Sequence, residues 1–347
     1  MVRVAIVGTG GIAGSCHIPA LAAQAHRAEV VAAVDVDEGR VKAFCAEYAV
    51  PAAYTSLEEM LEAERPDLVH ICTPPFLHAA QVVACLRAGA WVWCEKPLCL
   101  SLAEYDAIAA AEGAAGPYSS VVFQHRFGSG ARHLRELVAG GALGRPLVAL
   151  CTTTWFRDHD YFAVPWRGKW DTEGGGPTMG HGIHQMDLML SVLGEWEEVR
   201  AMAGRLDRDT EAEDVSMAIV RFANGAMASV VNSLLSRREE SYLRFDFADA
   251  TVELSHLYGY RNADWTSTSP LWQPGEDVPS SHTAQLADLL DAFERGERPP
   301  VSGPEARGTL ELVAGLYASA LTGRPVTRAE LTPDSPFHHQ MNGGMAL

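Results

Sequence analysis

The first residues of the chain that could do chemistry form a glycine-rich turn. The run Gly8-Thr9-Gly10-Gly11-Ile12-Ala13 follows a β-branched apolar stretch, Val2–Val7, and opens an Ala-rich segment with helical spacing, Ile12–Ala25. Gly8 permits a tight turn, Gly10 lets the backbone approach a diphosphate, and the small Ala13 lets the helix pack against the strand. The free N–H groups at the start of such a helix attract an anion. This order of strand, turn and helix predicts a dinucleotide site, with Gly11 and Ile12 as part of its backbone.

An acidic residue favours one of the two pyridine dinucleotides. Asp35 ends the second apolar run, Glu29–Val34, about 20 residues after the turn, where a carboxylate accepts hydrogen bonds from ribose hydroxyls. The same carboxylate repels a 2′-phosphate, so we expect NAD, with NADP less favoured. Two alternatives stay open: Asp35 could instead cap a turn, and Arg40 could help to accommodate a phosphate.

A lysine stands where a proton-transfer group would be needed. Lys96, in Cys94-Glu95-Lys96-Pro97, comes just after a predicted strand, and ligands bind at the carboxyl ends of strands in open α/β sheets. Desolvation and neighbouring positive charge bring the pKa of an ammonium group towards the working pH, as a general base for a hydroxyl proton requires. Lys96 is therefore a candidate catalytic residue.

Two histidines form a second candidate centre. His181 and His184 follow a glycine-rich stretch, Gly174-Gly175-Gly176, and imidazole changes charge near neutral pH. Asp187 could share a helical face with His184 and orient it, or could make a hydrogen bond at the helix start. His181, His184 and Asp187 have spacing that could hold a divalent ion, and His159 with Asp158 could add a ligand. Nothing else in the sequence converges on them, so we expect no metal.

The predicted strands and helices that position these residues change in their pattern of apolar and polar residues near residue 124. Before that point, short strands apolar throughout alternate with helices, which predicts a parallel sheet covered on both faces. The predicted strands are Val2–Val7, Glu29–Val34, Leu68–Cys72, Ala90–Cys94 and Ser119–Phe123, and the predicted helices after the first are Glu38–Tyr48, Ser56–Glu64 (with a Ser cap), Phe76–Ala88 and Leu102–Ala111.

After residue 124 the runs are longer and alternate between apolar and polar residues, which predicts a mostly antiparallel sheet. Asn224-Gly225 separates two of them and is a strong hairpin signal. The predicted strands are Pro146–Arg157, Glu198–Leu206, Asp214–Phe222, Ala226–Ser236, Tyr242–Asp246 and Ala250–Ser255, and the predicted helices are Ala131–Ala139, His184–Leu193, His282–Glu294 and Pro304–Leu321. We expect Trp265–Ser281 to be a loop and Pro336–Leu347 to be poorly structured or to contact another subunit.

Composition excludes several classes of partner. The 347 residues carry 44 carboxylates against 27 Lys plus Arg, a net charge of −17, which disfavours nucleic acid and anionic membrane surfaces. We find no apolar run long enough to span a bilayer and no signal peptide. The seven cysteines are odd in number and form no CxxC pair, which is typical of reduced, buried thiols. We therefore expect a cytoplasmic protein.

Taken together, these motifs resemble the Gfo/Idh/MocA oxidoreductase family, named for glucose–fructose oxidoreductase and inositol dehydrogenase. The likeness is carried by the GxGxxA turn, Glu95-Lys96-Pro97, Gly174-Gly175-Gly176, Gly182-Ile183-His184-Gln185-Met186-Asp187 and the closing Gly323-Arg324-Pro325-Val326. It implies an α/β fold: an N-terminal Rossmann domain with a doubly wound parallel sheet, then a C-terminal α+β domain with a large open, mostly antiparallel sheet. We assign residues 1–123 to NAD binding and 124–347 to substrate binding and oligomerisation, with helix 304–321 as a segment that could pack back on the first domain.

The resemblance implies a dehydrogenase of a sugar, cyclitol or glycoside, as a homodimer or homotetramer associating through the C-terminal sheet. Lys96 and His184 match the family's active-site lysine and histidine. The acid usual four residues before the histidine is replaced by Gly180, so either Lys96 and His184 suffice, or His181 substitutes, or the chemistry has changed. A redox-neutral NAD-dependent enzyme that cleaves a glycoside or epimerises a sugar is one alternative, and a non-catalytic NAD-binding sensor is another.

Other candidates follow from position at strand ends or, for Trp166-Arg167, from likeness to a family segment near the cofactor. For each, a plain surface or core role stays open. The cofactor candidates are Thr73, Pro74, His78, Glu95, Lys96, Gln124, Trp166 and Arg167, and the substrate candidates, chosen because a polyol needs mixed donors and aromatic faces, are Lys96, Arg126, Trp155, Arg157, His181 and His184.

Overall fold

A computed structural model describes all residues, 1–347. The chain forms two compact units, one of residues 1–99, 104–122 and 282–306, the other of residues 100–103, 123–281 and 307–347. This differs from a division at 123/124 alone, because residues 282–306 return to the first unit. The reason is apolar packing: Leu286, Leu289 and Leu290 are buried in the same core as Leu21 and Trp91.

The elements alternate strictly only in the first third of the chain. The strands are β1 Val2–Val7, β2 Ala28–Val34, β3 Ala52–Tyr54, β4 Leu68–Ile71, β5 Trp91–Cys94, β6 Ser119–Val121, β7 Pro146–Phe156, β8 Trp196–Gly204, β9 Val215–Phe222, β10 Met227–Ser233, β11 Leu235–Phe247, β12 Thr251–Ser255, β13 Trp265–Ser267 and β14 Val326–Thr327. The α-helices are α1 Ile18–Ala23, α2 Glu38–Tyr48, α3 Leu57–Glu64, α4 His78–Arg87, α5 Leu102–Ala111, α6 Ser129–Ala139, α7 His159–Phe162, α8 Trp170–Glu173, α9 Ile183–Leu193, α10 His282–Arg295, α11 Pro304–Thr322 and α12 Pro336–His339.

The first unit is built on a six-stranded parallel sheet in the order β3-β2-β1-β4-β5-β6. Its central strands are buried on both faces, which explains why they are apolar throughout. The strand order reverses beside β1, so the carboxyl ends of β1 and β4 flank a switch point, the usual place for a ligand in such sheets. The predicted doubly wound parallel sheet is confirmed.

Local capping places the helices of this sheet. Asp37 caps α2 by accepting a hydrogen bond from the N–H of Arg40, and Ser56 caps α3 by accepting one from the N–H of Glu59. The Ser cap predicted from sequence is thus confirmed. The predicted first helix differs in its start, because residues 13–17 form a π-helical turn before α1 begins.

The second unit contains an eight-stranded sheet in the order β13-β12-β11-β7-β10-β9-β8-β14. Only β7 and β10 pair in parallel, and the other neighbours are antiparallel. The predicted hairpin joins β9 to β10, with Gly225 at φ +87°. The mostly antiparallel second sheet is therefore confirmed, and α9 packs on it through β7 and β11.

Three expectations need correction. The short edge strand β3 was not predicted, and β13 lies inside the segment expected to be a loop. The C-terminal tail is not unstructured at its start: α12 forms there and buries Phe337 and His338. No helix combines the length and the hydropathy that crossing a membrane requires.

Candidate functional site

In the first unit, Gly8 ends β1 in a conformation that only glycine adopts easily. Its φ is +89°, and a Cβ at this position would lie 2.8 Å from the backbone carbon of Cys72 and the nitrogen of Thr73. The glycine is therefore required by the close approach of the β1 and β4 ends, in addition to the turn itself.

Gly10 and Gly11 show the opposite situation. A Cβ at either position would meet no protein atom within 4 Å, so packing within the protein does not require glycine there. The backbone at Gly10 and Gly11 therefore carries no side chain and borders open space at the start of a helix, next to the fully buried Ala13. This is the environment that a diphosphate needs, with N–H groups and no side chain in the way. The predicted dinucleotide turn fits such a group.

Asp35 lies beside this turn, at the end of β2. Its carboxylate accepts hydrogen bonds from the N–H and hydroxyl of Thr9, at 3.0 and 2.9 Å, and from the N–H of Asp37 at 3.0 Å. Arg40 approaches it at 3.3 Å. Burial acts to raise the pKa of Asp35, but these N–H, hydroxyl and guanidinium donors outweigh it and hold the pKa below the usual value. The group is therefore a carboxylate at neutral pH, as an acceptor for ribose hydroxyls must be.

His78 connects two loops at the carboxyl end of the sheet. Its imidazole lies 2.7 Å from the carbonyl oxygen of Pro97 and 2.8 Å from that of Thr73. The hydroxyl of Thr73 bonds to Gln81 at 2.6 Å, and Pro74 leads into a 3-10 turn before α4. His78 is almost fully buried, so its observed role is to hold the Thr73-Pro74 and Lys96-Pro97 loops together.

The side chain of Glu95 is turned into the protein. One of its oxygens lies 3.1 Å from Nε2 of His17 and 2.9 Å from Nε2 of His282, and Nδ1 of His17 lies 3.1 Å from Nδ1 of His70. Burial acts to raise the pKa of Glu95, but hydrogen bonds from the two histidines bring it well below the usual value. Burial also lowers the pKa of His17, more than Glu95 raises it. The result is a buried carboxylate held by imidazole N–H donors.

This network fixes the backbone from which Lys96 projects. The N–H of Lys96 lies 3.3 Å from the second oxygen of Glu95, and the Lys96–Pro97 peptide bond is cis. Lys96 is half-buried, whereas its neighbours on both sides are buried. Glu95, one of the predicted cofactor residues, is thus observed in a positioning role behind the lysine.

In the second unit, His184 lies at the start of α9 among aromatic rings. Its ring is 4.9 Å from that of His125, 6.0 Å from Phe123 and 6.3 Å from Tyr258, and it is 5% exposed. Gln124, another predicted residue, donates a hydrogen bond to the hydroxyl of Tyr258. The predicted residues Gln124 and His184 are therefore brought to one cluster.

Arg126 and Asp187 form a buried ion pair in the second unit. Both contacts of the guanidinium with the carboxylate are 2.5 Å, and Thr309 donates to the same carboxylate at 3.0 Å. Both carboxylate oxygens of Asp187 thus accept hydrogen bonds from side chains of the same unit. The pair gives Arg126, predicted to contact substrate, an observed structural partner.

His181 lies in a second polar cluster of the same unit. Its ring is 5.3 Å from that of Trp155, edge to face, and its Nε2 is 3.3 Å from the hydroxyl of Tyr161. Arg157 lies over the Trp155 ring at 5.1 Å and binds Glu239 at 3.0 Å. Trp155, Arg157 and His181, predicted separately from sequence, are therefore neighbours.

Trp166 and Arg167 reach this cluster from the segment after α7. The guanidinium of Arg167 lies over the Tyr161 ring at 3.9 Å and over the Trp166 ring at 4.3 Å. Sequence analysis missed other residues of the two units: His17, His70 and His282 around Glu95, and Glu173 beside Arg167. A carboxylate next to the triple glycine was a usable signal for Glu173, but nothing local marks His17 or His282, which lie 78 and 187 residues from Glu95.

Known proteins share both the sequence pattern and the fold. The chain is 28% identical over 355 residues to the D-glucoside 3-dehydrogenase of Escherichia coli K12, which covers 95% of this chain and 97% of the relative. It is 28% identical over 337 residues to the myo-inositol 2-dehydrogenase of Thermotoga maritima, covering 91% and 95%. The crystal structure of the WlbA dehydrogenase of Bordetella pertussis in complex with NADH and UDP-GlcNAcA superposes with a TM-score of 0.84 and 27% identity, over 94% of this chain and 98% of that one.

Two family models cover most of the chain. Residues 2–123 match an oxidoreductase family described by its NAD-binding Rossmann fold, and residues 131–253 match the GFO/IDH/MocA C-terminal domain. The glycine turn, Asp35 and Lys96 lie in the first match, and His181 and His184 in the second. The chain therefore belongs to the Gfo/Idh/MocA oxidoreductase family, with an NAD-binding Rossmann domain at its N-terminus.

Proposed function

We propose that this protein is an NAD-dependent dehydrogenase that transfers a hydride between a secondary alcohol of a sugar, cyclitol or glycoside and the nicotinamide. The observation that carries the proposal is the bare backbone of Gly10 and Gly11 beside the ionised Asp35, within the family's NAD-binding domain. Relatives named D-glucoside 3-dehydrogenase and myo-inositol 2-dehydrogenase support the substrate class.

The cofactor would be held mainly by the first unit. The N–H groups from Gly10 to Ile12 would bind the diphosphate, and Asp35 would accept hydrogen bonds from the adenosine ribose. Thr73 and Pro74, at the end of β4, are proposed to line the nicotinamide half, with His78 and Glu95 holding their loops in place. Trp166, Arg167 and Gln124 remain predicted contacts. When bound, the nicotinamide supplies the hydride acceptor or donor.

The chain itself must move the hydroxyl proton. We propose Lys96 and His184 as groups that exchange this proton with the substrate oxygen, with His181 as a further proton-transfer residue. A positioned acid or base of this kind contributes on the order of 10² to 10⁴ in rate. Trp155 and Arg157 are proposed to contact the substrate, since an aromatic face beside a charged donor suits a polyol.

Arg126 is a less favourable substrate contact than the sequence suggested. Its guanidinium is bound bidentately by Asp187, and removing it from that pair would leave a buried carboxylate unpaired. We therefore propose that Arg126 supports the segment that carries His125 and leads from the first unit.

The experiment measures binding first and turnover second. Calorimetry of the purified, ligand-free protein with NAD and with NADP tests the cofactor site, and uptake of neither would refute the proposal. A spectrophotometric screen for NADH formation across sugars, cyclitols and aminoglycoside-type glycosides then tests the reaction. NADH that accumulates supports a dehydrogenase, whereas product formed without NADH release indicates the redox-neutral alternative. Cofactor binding with no turnover on any panel indicates a sensor.

We also propose that the protein forms homodimers or homotetramers through the open face of its second sheet. Met202, Met217 and Val231 lie side by side across β8, β9 and β10, and Ile219 and Met227 lie in the neighbouring rows. Four of these five are strongly exposed, with Met202 at 79%. Exposed large apolar side chains grouped on one sheet face are typical of a protein interface. Light scattering measures the mass, and a monomer at micromolar concentration would refute this.

The cysteines support a reducing location. Six of the seven are buried, and the sequence contains no CxxC pair. We propose the cytoplasm.

A further inference from the structure

A chain of polar contacts in the second unit connects His181 to a buried carboxylate. Nε2 of His181 lies 3.3 Å from the hydroxyl of Tyr161, and Nη1 of Arg167 donates to that hydroxyl. The same Nη1 donates to Oε1 of Glu173 at 3.1 Å. Glu173 is 5% exposed, and its other oxygen accepts a hydrogen bond from the N–H of Gly168 at 2.6 Å. The carboxylate is therefore fixed by donors from two sides.

The direction of these hydrogen bonds decides where the protons lie. A guanidinium can only donate, so the phenol oxygen of Tyr161 accepts from Arg167. The hydroxyl proton of Tyr161 has Nε2 of His181 as an acceptor at 3.3 Å. A neutral imidazole that accepts this proton at Nε2 carries its own proton on Nδ1. This arrangement uses one tautomer of His181.

The position of Glu173 has a counterpart in the sequence. A Cβ built on Gly180 would lie 3.5 Å from Oε1 of Glu173 and would meet no other protein atom within 4 Å. The carboxylate of Glu173 thus borders the volume that a side chain at position 180 would enter. Family resemblance leads one to expect an acid at position 180, four residues before His184 and next to His181 in the sequence.

We propose that Glu173 is the positioning carboxylate of His181, acting through Arg167 and Tyr161 in place of an acidic side chain at position 180. Glu173 holds Arg167, Arg167 orients the phenol, and Tyr161 fixes the tautomer of the imidazole. The inference rests on the proposed function in that His181 is taken to transfer a proton. Its structural part, the fixed tautomer, holds independently of the substrate.

Electrostatics give the expected effect of removing the carboxylate. Burial raises the pKa of Tyr161, the Arg167 guanidinium lowers it and Glu173 raises it again. In Glu173→Gln, Arg167 keeps its charge but loses its anionic partner, so the pKa of the phenol falls. Tyr161 then loses the proton that it donates to His181 at a lower pH than before. The alkaline limb of the pH–rate profile should move to lower pH, and kcat should fall about tenfold with little change in KM.

A carboxylate swap tests the assignment directly. We compare Glu173→Gln, Gly180→Asp and the double variant, with Glu211→Gln as a matched control, since Glu211 is an exposed glutamate of the same unit. Glu173→Gln should lower kcat, and the double variant should recover most of it, because the carboxylate returns from position 180. Gly180→Asp alone should also lose activity, because it places two carboxylates together. The control should behave as wild type.

A second measurement needs no substrate. Nitrogen shifts of isotopically labelled histidine report which ring nitrogen carries the proton, and a His181→Gln variant assigns the signal. Wild type should show the proton on Nδ1 of His181, and Tyr161→Phe, which keeps the ring under Arg167, should lose this preference. Tyr161→Phe also serves if Glu173→Gln does not fold.

These readouts separate the inference from the proposed function. If no substrate is turned over but the tautomer is fixed and depends on Glu173 or Tyr161, the positioning inference stands and the dehydrogenase proposal fails. If turnover is found but Glu173→Gln leaves kcat, the pH profile and the tautomer unchanged, the inference is overturned. A proton found on Nε2 in wild type would overturn it as well.

Discussion

Glu213 is a buried carboxyl whose protonation should make the stability of the protein depend on pH. It is 2% exposed and accepts hydrogen bonds from the N–H of Gly176 at 3.0 Å, the N–H of Thr178 at 3.1 Å and the hydroxyl of Tyr317 at 2.9 Å. Burial raises its pKa to about 7 in spite of these donors, from an ordinary value of 4.5.

The direction in which stability changes with pH follows from the pKa of Glu213 in the folded and in the unfolded protein. Because the folded protein holds this proton more tightly than the unfolded chain, the stabilising contribution is fully present below pH 4.5 and is lost as the pH rises through about 7. Each pKa unit corresponds to about 1.4 kcal/mol, which gives ~3 kcal/mol over the full interval and ~2 kcal/mol between about pH 5 and pH 8. The second unit should therefore be markedly less stable in mild alkali.

The perturbation is Glu213→Gln, which keeps the shape of the side chain but cannot titrate. Urea unfolding of wild type and variant at several pH values, followed by circular dichroism, gives the difference in the free energy of unfolding. Groups common to both proteins cancel in this difference. We expect the advantage of wild type over the variant to shrink by about 2 kcal/mol between about pH 5 and pH 8. Tyr317→Phe removes a donor that lowers the pKa of Glu213, so it should move the interval to higher pH.

A difference that stays constant across this range would refute the reasoning. It would mean that Glu213 is ionised in the folded protein at all of these pH values. The three donors around it would then be stronger than the cost of burial.

Four further predictions concern other residues. Asp187→Asn leaves the Arg126 guanidinium buried without its carboxylate, so it should cost about 3 to 5 kcal/mol in urea unfolding, and replacing both residues by apolar ones should cost less. Asp35→Ala should weaken NAD binding by about tenfold or more in calorimetry while changing NADP binding less, because the repulsion of a 2′-phosphate is lost together with the ribose acceptor. His184→Ala should lower kcat by about 100-fold and leave NAD affinity intact, and equal turnover would exclude it as a catalytic residue. Dialysis against EDTA should leave turnover unchanged, and a stoichiometric metal found by elemental analysis would contradict this.

Sequence periodicity was sufficient to predict most of the fold because the central strands of the first sheet are buried on both faces. Such strands must be apolar throughout, and a run like Leu68–Ile71 is visible without any structure. The absence of such burial explains why two strands were not predicted. β3 and β13 are three-residue edge strands, so each pairs with only one neighbour and is too short to show a strand period.

The candidate site divides in the same way between local and distant interactions. The glycine turn is one continuous piece of chain, and its geometry follows from residue types at fixed spacing. The support of Lys96 does not follow from local spacing. Glu95 is held by His17, which precedes α1, and by His282 at the start of α10. A histidine at a helix start has many structural uses, and only the packing of Leu286 and Leu290 brings α10 to Glu95. This packing is a tertiary interaction, and the spacing of residues in the sequence does not predict it.

Gly180 shows that the residue type at one sequence position does not reveal which side chains lie near it in the fold. Taken as a sequence position, it lacks the acid that the family resemblance leads one to expect four residues before His184. In space the chain turns back between Glu173 and the histidines, through Gly174 at φ +79° and Gly175 at φ +152°, conformations that only glycine adopts without strain. A side chain on Gly175 would overlap the hydroxyl of Tyr317, and one on Gly176 would overlap the backbone of Glu213. The triple glycine is thus what allows a carboxylate seven residues earlier to lie beside position 180.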